Sequence, residues 1–594
     1  MNRKRQNLIS ILLSLSFLVF PIPSAKACAP DLAYAIFING NHPDLPLKLF
    51  AAGNVGIVQP GWAKSYLVVS YRNLIGKPLS KIEQDSIVNL WHERIIKGSR
   101  FDSNVSPDLK DAYLKLRSQA IAADPKKNGD IYWKMDSFAY DKGVSDSAFL
   151  LAKVALSSIV KKFGAKSVQA RDWVKAQDGI FGIGTDKVIV PVALPASADA
   201  ILQDARIYQI AAANFYLKKF DDAAAQFQKL ASRPNSSMKE IASYMVLRSK
   251  SNAVINNGGA EPEASVVGEQ IQKAADAATK SAMREDLLDL LRPISYLNHT
   301  SLEVTKKLAH AITNGTSKRF GGDVGDLTFL LDGNMPLSGL NVQGGKGSAE
   351  SADTAASGSA DEKMPNDIMS AHDLADWVLT VQNNSFLDYD DFTPEEQAKS
   401  KARREAKAAH ALAMWRKTNS ESWLVAALMT NGLRGNDKDL FDAAGNVPNT
   451  SAAYATCRFY IADSLLSKSN RHEARKQLMT VWSNKNLPPS TRNLFSMQMA
   501  SASDTPGDYL KYSVLNPPEI LDSTTALVSA KFAKLEAADS FQTEVPAFSS
   551  EVALDMSKNV PLSTWMEFAQ SQNLPAKFKP VFLRTAWTRA QMLQ

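Results

Sequence analysis

The residues of this sequence that could do chemistry come in short, incomplete sets. His92-Glu93 begins the H-E-x-x-H pattern, in which two imidazoles one helical turn apart reach one zinc ion, but Ile96 stands where the second imidazole must be. His299 and His310 lie about three helical turns apart, too far to share one metal on a single helix. Ser158–Lys161 and Ser236–Lys239 each have the spacing that lets a lysine take a serine proton, yet neither is joined by a K-T-G or an S-D-N segment. The glycines from Gly179 to Gly184 (GIFGIG) do not follow the G-x-G-x-x-G phosphate pattern and read as a loop. Asp388, Asp390, Asp391, Glu395 and Glu396 cluster, but the glycine of a calcium loop is missing and Phe392 occupies a ligand position, so a solvated helix entry is expected. No Walker lysine motif and no G-x-S-x-G elbow occurs. No catalytic, metal or cofactor set is therefore expected. A hydrolase would need carboxylates brought together by folding, with Glu83, Glu93, Asp204 and Asp221 as its candidates.

The first 27 residues have the layout of a secretory signal: Arg3, Lys4 and Arg5, then the apolar run Leu8 to Phe20, then Pro21 and Pro23, then Ala25-Lys26-Ala27. The apolar run has 13 residues, short of the roughly 20 that span a bilayer. Cleavage after Ala27 removes four of the formal +7 charges and leaves 567 residues at +3. That near balance argues against a nucleic-acid binder, which would carry a basic stripe. Cys28 then becomes the first residue. Ala25-Lys26-Ala27-Cys28 resembles a degenerate bacterial lipobox, without its leading leucine and with Lys26 in its second place. Cys28 is thus either a lipid attachment point or an ordinary mature N-terminus, and a disulfide to Cys457 or a buried free Cys457 both stay open.

Helices must position whatever site exists. Residues 28–60 are broken by Gly40, Pro43, Pro46, Gly53, Gly56 and Pro60 and are expected to be irregular. Trp62, Tyr66, Val69 and Leu74 then share a helical face closed by Gly76 and Pro78, and Ser80 with Glu83 has capping-box spacing before Ile87, Leu90, Trp91 and Ile95. Helices are expected near 109–122 and 146–163, and a loop with one short edge strand over 178–196, where Pro191 interrupts Val188 to Val192. Around 202–235, Ala211 can let a second helix approach, Ala223 can pack back, and Phe227 one turn later can fill the gap. This segment resembles a tetratricopeptide helix–turn–helix, departing from it at Asn214, Leu230 and the early Pro234. Ile461, Ala462 and Leu465, followed by Ala474, Leu478 and Val481, repeat the same spacings.

From Gly344 to Ala360, 13 of 17 residues are Gly, Ser or Ala, so 341–363 reads as a flexible linker. It either divides an N-terminal helical domain (28–340) from a C-terminal helical-repeat domain (364–594) or is a long loop within one solenoid. Downstream, Thr393, Pro394 and Glu396 open a long helix, Trp423 to Met429 is apolar on all sides, and a last helix from Pro580 carries Phe582, Leu583, Ala586, Trp587, Ala590 and Leu593. The expected fold is all-α, a right-handed α-solenoid of tetratricopeptide-like units with an irregular N-terminal region.

The segments YQIAAANFYLKKFDDAAAQF, SWLVAALM and LRTAWTRAQML resemble a group of exported bacterial proteins with tetratricopeptide-like repeats, a resemblance that implies fold and location but no activity. The expected function is a helical scaffold of the cell envelope, in the periplasm or at the outer-membrane periphery, that binds a protein or peptide partner. It would bind no nucleic acid and would meet a membrane only through a lipid on Cys28. An envelope hydrolase and a purely structural envelope component are the alternatives. Mass spectrometry of the mature N-terminus tests the first step: a chain beginning at Cys28 is expected, and a free Cys28 thiol would end the lipid-anchor reading.

Overall fold

Alanine-rich stretches, few β-branched runs and recurrent polar caps produce helices and little else. The computed structural model describes residues 42–98, 107–121, 146–182, 187–259, 261–297, 299–332, 369, 371–382, 393–433, 437–516, 534, 536–537 and 546–592. Among them are 24 α-helices and no strand; a lone antiparallel bridge joins Leu515 and Ala547. The fold is all-α. Residues 1–27, Cys28, the segment 341–363 and Asp388, Asp390, Asp391 and Phe392 lie outside the described residues.

The chain begins with α1 (Leu47–Ala51), α2 (Lys64–Leu74) and α3 (Lys81–Gly98). A stacked array follows: α4 (Pro107–Ala120), α5 (Asp146–Phe163), α6 (Val168–Ile180), α7 (Ala200–Tyr216), α8 (Phe220–Ala231), α9 (Lys239–Asn256), α10 (Glu263–Ala277) and α11 (Ser281–Ile294). Each helix of the array packs on the next, and α4 with α6, α5 with α7 and α9 with α11 also touch. Contact with sequence neighbours and next neighbours is the pattern of a helical-repeat stack. After α12 (Ser301–Asn314) and α13 (Phe320–Leu331) come α14 (Asp373–Val381), α15 (Pro394–Thr418), α16 (Glu421–Asn431) and α17 (Lys438–Asn446). A second stack comprises α18 (Tyr454–Ser467), α19 (Arg471–Trp482), α20 (Pro489–Ser501) and α21 (Pro506–Ser513), and α22 (Ser550–Asn559), α23 (Leu562–Gln570) and α24 (Lys579–Met592) end the described chain.

The caps explain where several helices start. Thr393 accepts from the Glu396 backbone N–H while Glu396 accepts from that of Thr393, with Pro394 at the first helical position of α15. Ser80 and Glu83 make the same reciprocal pair at α3. Glu83 does more than cap. Its other oxygen accepts from the Arg72 guanidinium at 3.0 Å, and Arg72 also donates to the carbonyls of Lys77 and Ile312. Burial pushes the Glu83 carboxyl up, but the hydrogen bonds from Ser80 and Arg72 outweigh it and hold the group below the usual range. One buried cation thus ties α2, α3 and α12 together.

The main apolar core draws on both sides of the 341–363 segment. Phe50, Trp62, Tyr66 and Trp91 form an aromatic knot, with Tyr66 stacked on Trp91 at 4.5 Å. The same core continues through Val304, Leu308, Val324 and Leu327 into Trp377, Val378 and the fully buried Trp423–Leu428 run of α16. Helix α2 touches α13, α14 and α16. The segment before α2 reaches farther. Asp44 accepts from the Ser490 backbone N–H at 2.8 Å and from its hydroxyl at 2.9 Å, in the first turn of α20. The backbone N–H groups of Ile57 and Val58 donate to Thr491 and Thr456, each at 3.0 Å. Gly56, at φ +65°, is required here, because a Cβ would sit 2.2 Å from the Thr491 hydroxyl.

Three expectations need correction. The irregular stretch 28–60 contains the short helix α1, because Leu47, Phe50 and Ala51 find an apolar core to enter. No strand forms among the described residues of 178–196: α6 continues to Ile180, and after Lys187 the Ile189 N–H donates to the Gly179 carbonyl, while Pro191 has no N–H to donate. On α24 only Phe582 and Ala586 are buried; Leu583 and Trp587 face outward, Trp587 at 68% exposure, because α23 covers one side of the helix only.

Burial raises the Asp44 carboxyl to about 6 against the opposing hydrogen bonds from Ser490. A folded value above the ordinary 3.8 means that the folded state holds the proton more tightly. Stability from this group is therefore complete below about pH 4 and lost as pH rises through about 6. Asp44→Asn keeps an oxygen for Ser490 and removes the charge. It is expected to raise the melting temperature near pH 7.5, by no more than about 3 kcal/mol of stability, and to change little near pH 4. Thermal unfolding at the two pH values checks this; equal effects at both would refute the buried-charge cost.

Candidate binding groove

The 202–235 segment folds as the helix pair α7–α8, and 454–482 as α18–α19. Their turns match in detail. Lys218 and Ser469 both adopt φ +60°. The next residues, Lys219 and Asn470, enter the second helices at φ −85°, ψ 66° and φ −86°, ψ 65°. In each turn two backbone N–H groups return to carbonyls of the first helix: Lys218 to Phe215 and Lys219 to Asn214, Ser469 to Leu466 and Asn470 to Leu465. Small residues at the crossing let the helices close. Ala211, Ala223 and Phe227 are fully buried with Met245 and Val246 of α9, and Phe227 meets Tyr208 edge-on at 5.4 Å. Ala462, Ala474 and Leu478 are likewise fully buried. Leu230, where the tetratricopeptide pattern has alanine, is buried in a small cluster with Ala231 and with Ala242 of α9.

This stacking leaves a cavity of about 300 Å³. Helices α5, α7, α9 and α11 line it, joined by α6 and Phe181, whereas α8 and α10 stand behind and contribute nothing. Tyr208, Phe215, Tyr216 and Tyr244 supply aromatic walls, and Arg248 lies over the Phe215 ring at 5.4 Å. Burial pushes the Tyr208, Tyr216 and Tyr244 phenols above their ordinary value, so all three stay protonated. Asp286 stands exposed at the rim on α11; burial of its carboxyl raises it and Arg248 draws it back down. Trp173 also lines the cavity, and its indole N–H has no acceptor among the described residues.

The floor is held by a polar net. Arg206 donates to Asp172, Gln209 and the Val192 carbonyl, and Gln209 donates on to the Trp173 carbonyl and Gln177. A second, more open cavity of about 560 Å³ lies between α9, α10 and α11 and shares Tyr244 and Met283 with the first. The two cavities are therefore neighbours, and together they are called the groove.

The residues that the sequence suggested for chemistry have other partners. Glu83 is committed to its cap and to Arg72. Asp204 pairs with Arg233 at 2.6 Å, and Asp221 is exposed in the first turn of α8. The Glu93 side chain is outside the described residues. His92 pairs with Glu536 at 3.1 Å. His299 is exposed, and His310 meets Asn314 and the edge of His372. Ser158 is exposed and bonds to its own helix through the Val154 carbonyl. Ser236 and Lys239 line the open cavity, but the Ser236 hydroxyl accepts from the Met238 N–H. No group of three or more metal-ligating side chains occurs among the described residues. Cys457 is a buried free thiol, pushed up to about 12 by burial and by Glu421. No described helix is long and apolar enough to cross a membrane.

Set against known protein families, curated proteins and solved structures, the chain finds no match.

Tyr208, Tyr244, Arg248 and Asp286 were not legible as a site in the sequence. Their only signal was register: Tyr244 and Arg248 are four apart on one helix, and their partners sit on helices before and after. Phe227→Ala should loosen the α7–α8–α9 junction by about 3–5 kcal/mol. Hydrogen exchange read by mass spectrometry should show lost protection in α7–α9 and none in α18–α20; uniform loss would show that the stack does not open locally.

Proposed function

We propose that this chain is an exported cell-envelope scaffold, a right-handed tetratricopeptide-like solenoid that binds a protein or peptide segment. The observation that carries the reading is the groove, lined by helices of the α5–α11 stack and, in its first cavity, rich in aromatic side chains. Concave, mostly apolar clefts with a few placed polar groups are the usual form of a binding site. A stacked helix array extends such a cleft along one side, which suits an extended segment. The matched turns of α7–α8 and α18–α19 support the repeat reading, and the layout of residues 1–27 supports export.

Ala212 lines the first cavity from α7. Ala212→Trp would fill it without touching the buried Ala211 and Ala223. Peptides of about 12 residues selected on the immobilised mature chain should bind it and lose about tenfold or more in affinity to the variant, with circular dichroism unchanged. Equal binding by a folded variant would place recognition elsewhere.

A further inference from the structure

The groove holds an arginine that no carboxylate meets in a salt bridge among the described residues. In the α4–α11 stack the other arginines drawn into the packing each meet a carboxylate: Arg117 with Asp178, Arg206 with Asp172, Arg233 with Asp204 and Arg292 with Asp326. Arg248 has no salt bridge among the described residues. It lines the cavity half-buried, over Phe215 and among Tyr208, Tyr216 and Tyr244. Asp286 acts on Arg248 through space but makes no salt bridge with it, so the half-buried guanidinium is incompletely neutralised, and an anion delivered to it gains a charge-assisted, bidentate contact. The surrounding rings favour a bulky apolar group beside that anion. Lys239, in the adjoining cavity, is a second cation with no salt bridge among the described residues, whereas Lys280 there is taken by Glu240 at 2.7 Å.

We infer that the groove recognises an acidic–aromatic peptide segment: one bulky apolar side chain seated among Tyr208, Phe215, Tyr216 and Tyr244, a neighbouring carboxylate on Arg248, and a following carboxylate near Lys239. This rests on reading the groove as a peptide-binding surface. The two cavities share Tyr244 and Met283, so an extended chain can engage both where a small molecule would occupy one. Asp286 at the rim sets the selectivity. It disfavours a ligand whose negative charge extends beyond Arg248 toward α11, so the acidic residues must face α9.

The test uses the full mature chain and blocked peptides, acetylated and amidated so that no terminal charge remains. One carries Glu-Phe-Glu between Gly-Ser flanks, one Gln-Phe-Gln and one Glu-Ala-Glu; a fourth ends in a free Phe carboxylate. Fluorescence anisotropy should rank Glu-Phe-Glu about tenfold or more above both blocked controls. Arg248→Gln should erase the preference for Glu over Gln while keeping that for Phe over Ala. Asp286→Asn should tighten Glu-Phe-Glu severalfold, which a merely destabilised variant would not do. Equal binding of the Glu and Gln peptides would overturn the anion subsite and leave the peptide groove standing. A preference for the free Phe carboxylate alone would overturn the choice of an internal segment. Failure of every peptide to bind would remove both this inference and the groove reading.

Discussion

The fold depends on a clasp between parts of the chain that are distant in sequence. Residues 44–58 lie along the start of α20 and the side of α18, joined by Asp44 to Ser490, Ile57 to Thr491 and Val58 to Thr456. A stack of helix pairs buries each unit only against its neighbours and leaves open faces at its ends. Here α1–α3 share one core with Trp377 and Trp423. Closing contacts over 398 to 446 residues is not prohibitive, since loop-closure entropy grows only with the logarithm of length. The clasp must still hold a buried carboxylate at the α20 N-terminus, where the helix dipole and the Ser490 donors partly compensate it.

Inside that frame the two kinds of polar burial play different parts. Arg72 with Glu83 and Arg206 with Asp172 are saturated with partners and fix helix positions. Arg248 is held by a ring instead of a carboxylate, which leaves its charge available to a ligand. The distinction comes from stacking order. Arg206 pairs with Asp172 of α6, whereas Arg248 lies over Phe215 of α7, with Asp286 of α11 acting on it only through space.

The helix pairs themselves were largely legible. Ala211, Ala223 and Phe227, and their counterparts Ala462, Ala474 and Leu478, are local patterns, and the small-residue crossings they imply are where these side chains are buried. So were the capping boxes at Ser80 and Thr393, because a cap is decided by residues three apart. The outward Leu583 and Trp587 show the limit: periodicity says which residues share a face, and only the neighbouring elements say whether that face is covered.

The sequence by itself determined the helical class, the helix boundaries at capped ends and the small-residue crossings, since each is a property of residues within one or two turns. Tertiary structure decided what the charged residues do. Glu83 and Asp204, candidate catalytic acids in the sequence, became ion-pair partners, while Arg248, unremarkable in the sequence, became the half-buried charge of an aromatic groove. Whether a charge is neutralised depends on what lies within a few ångströms, and those neighbours come from helices tens or hundreds of residues away.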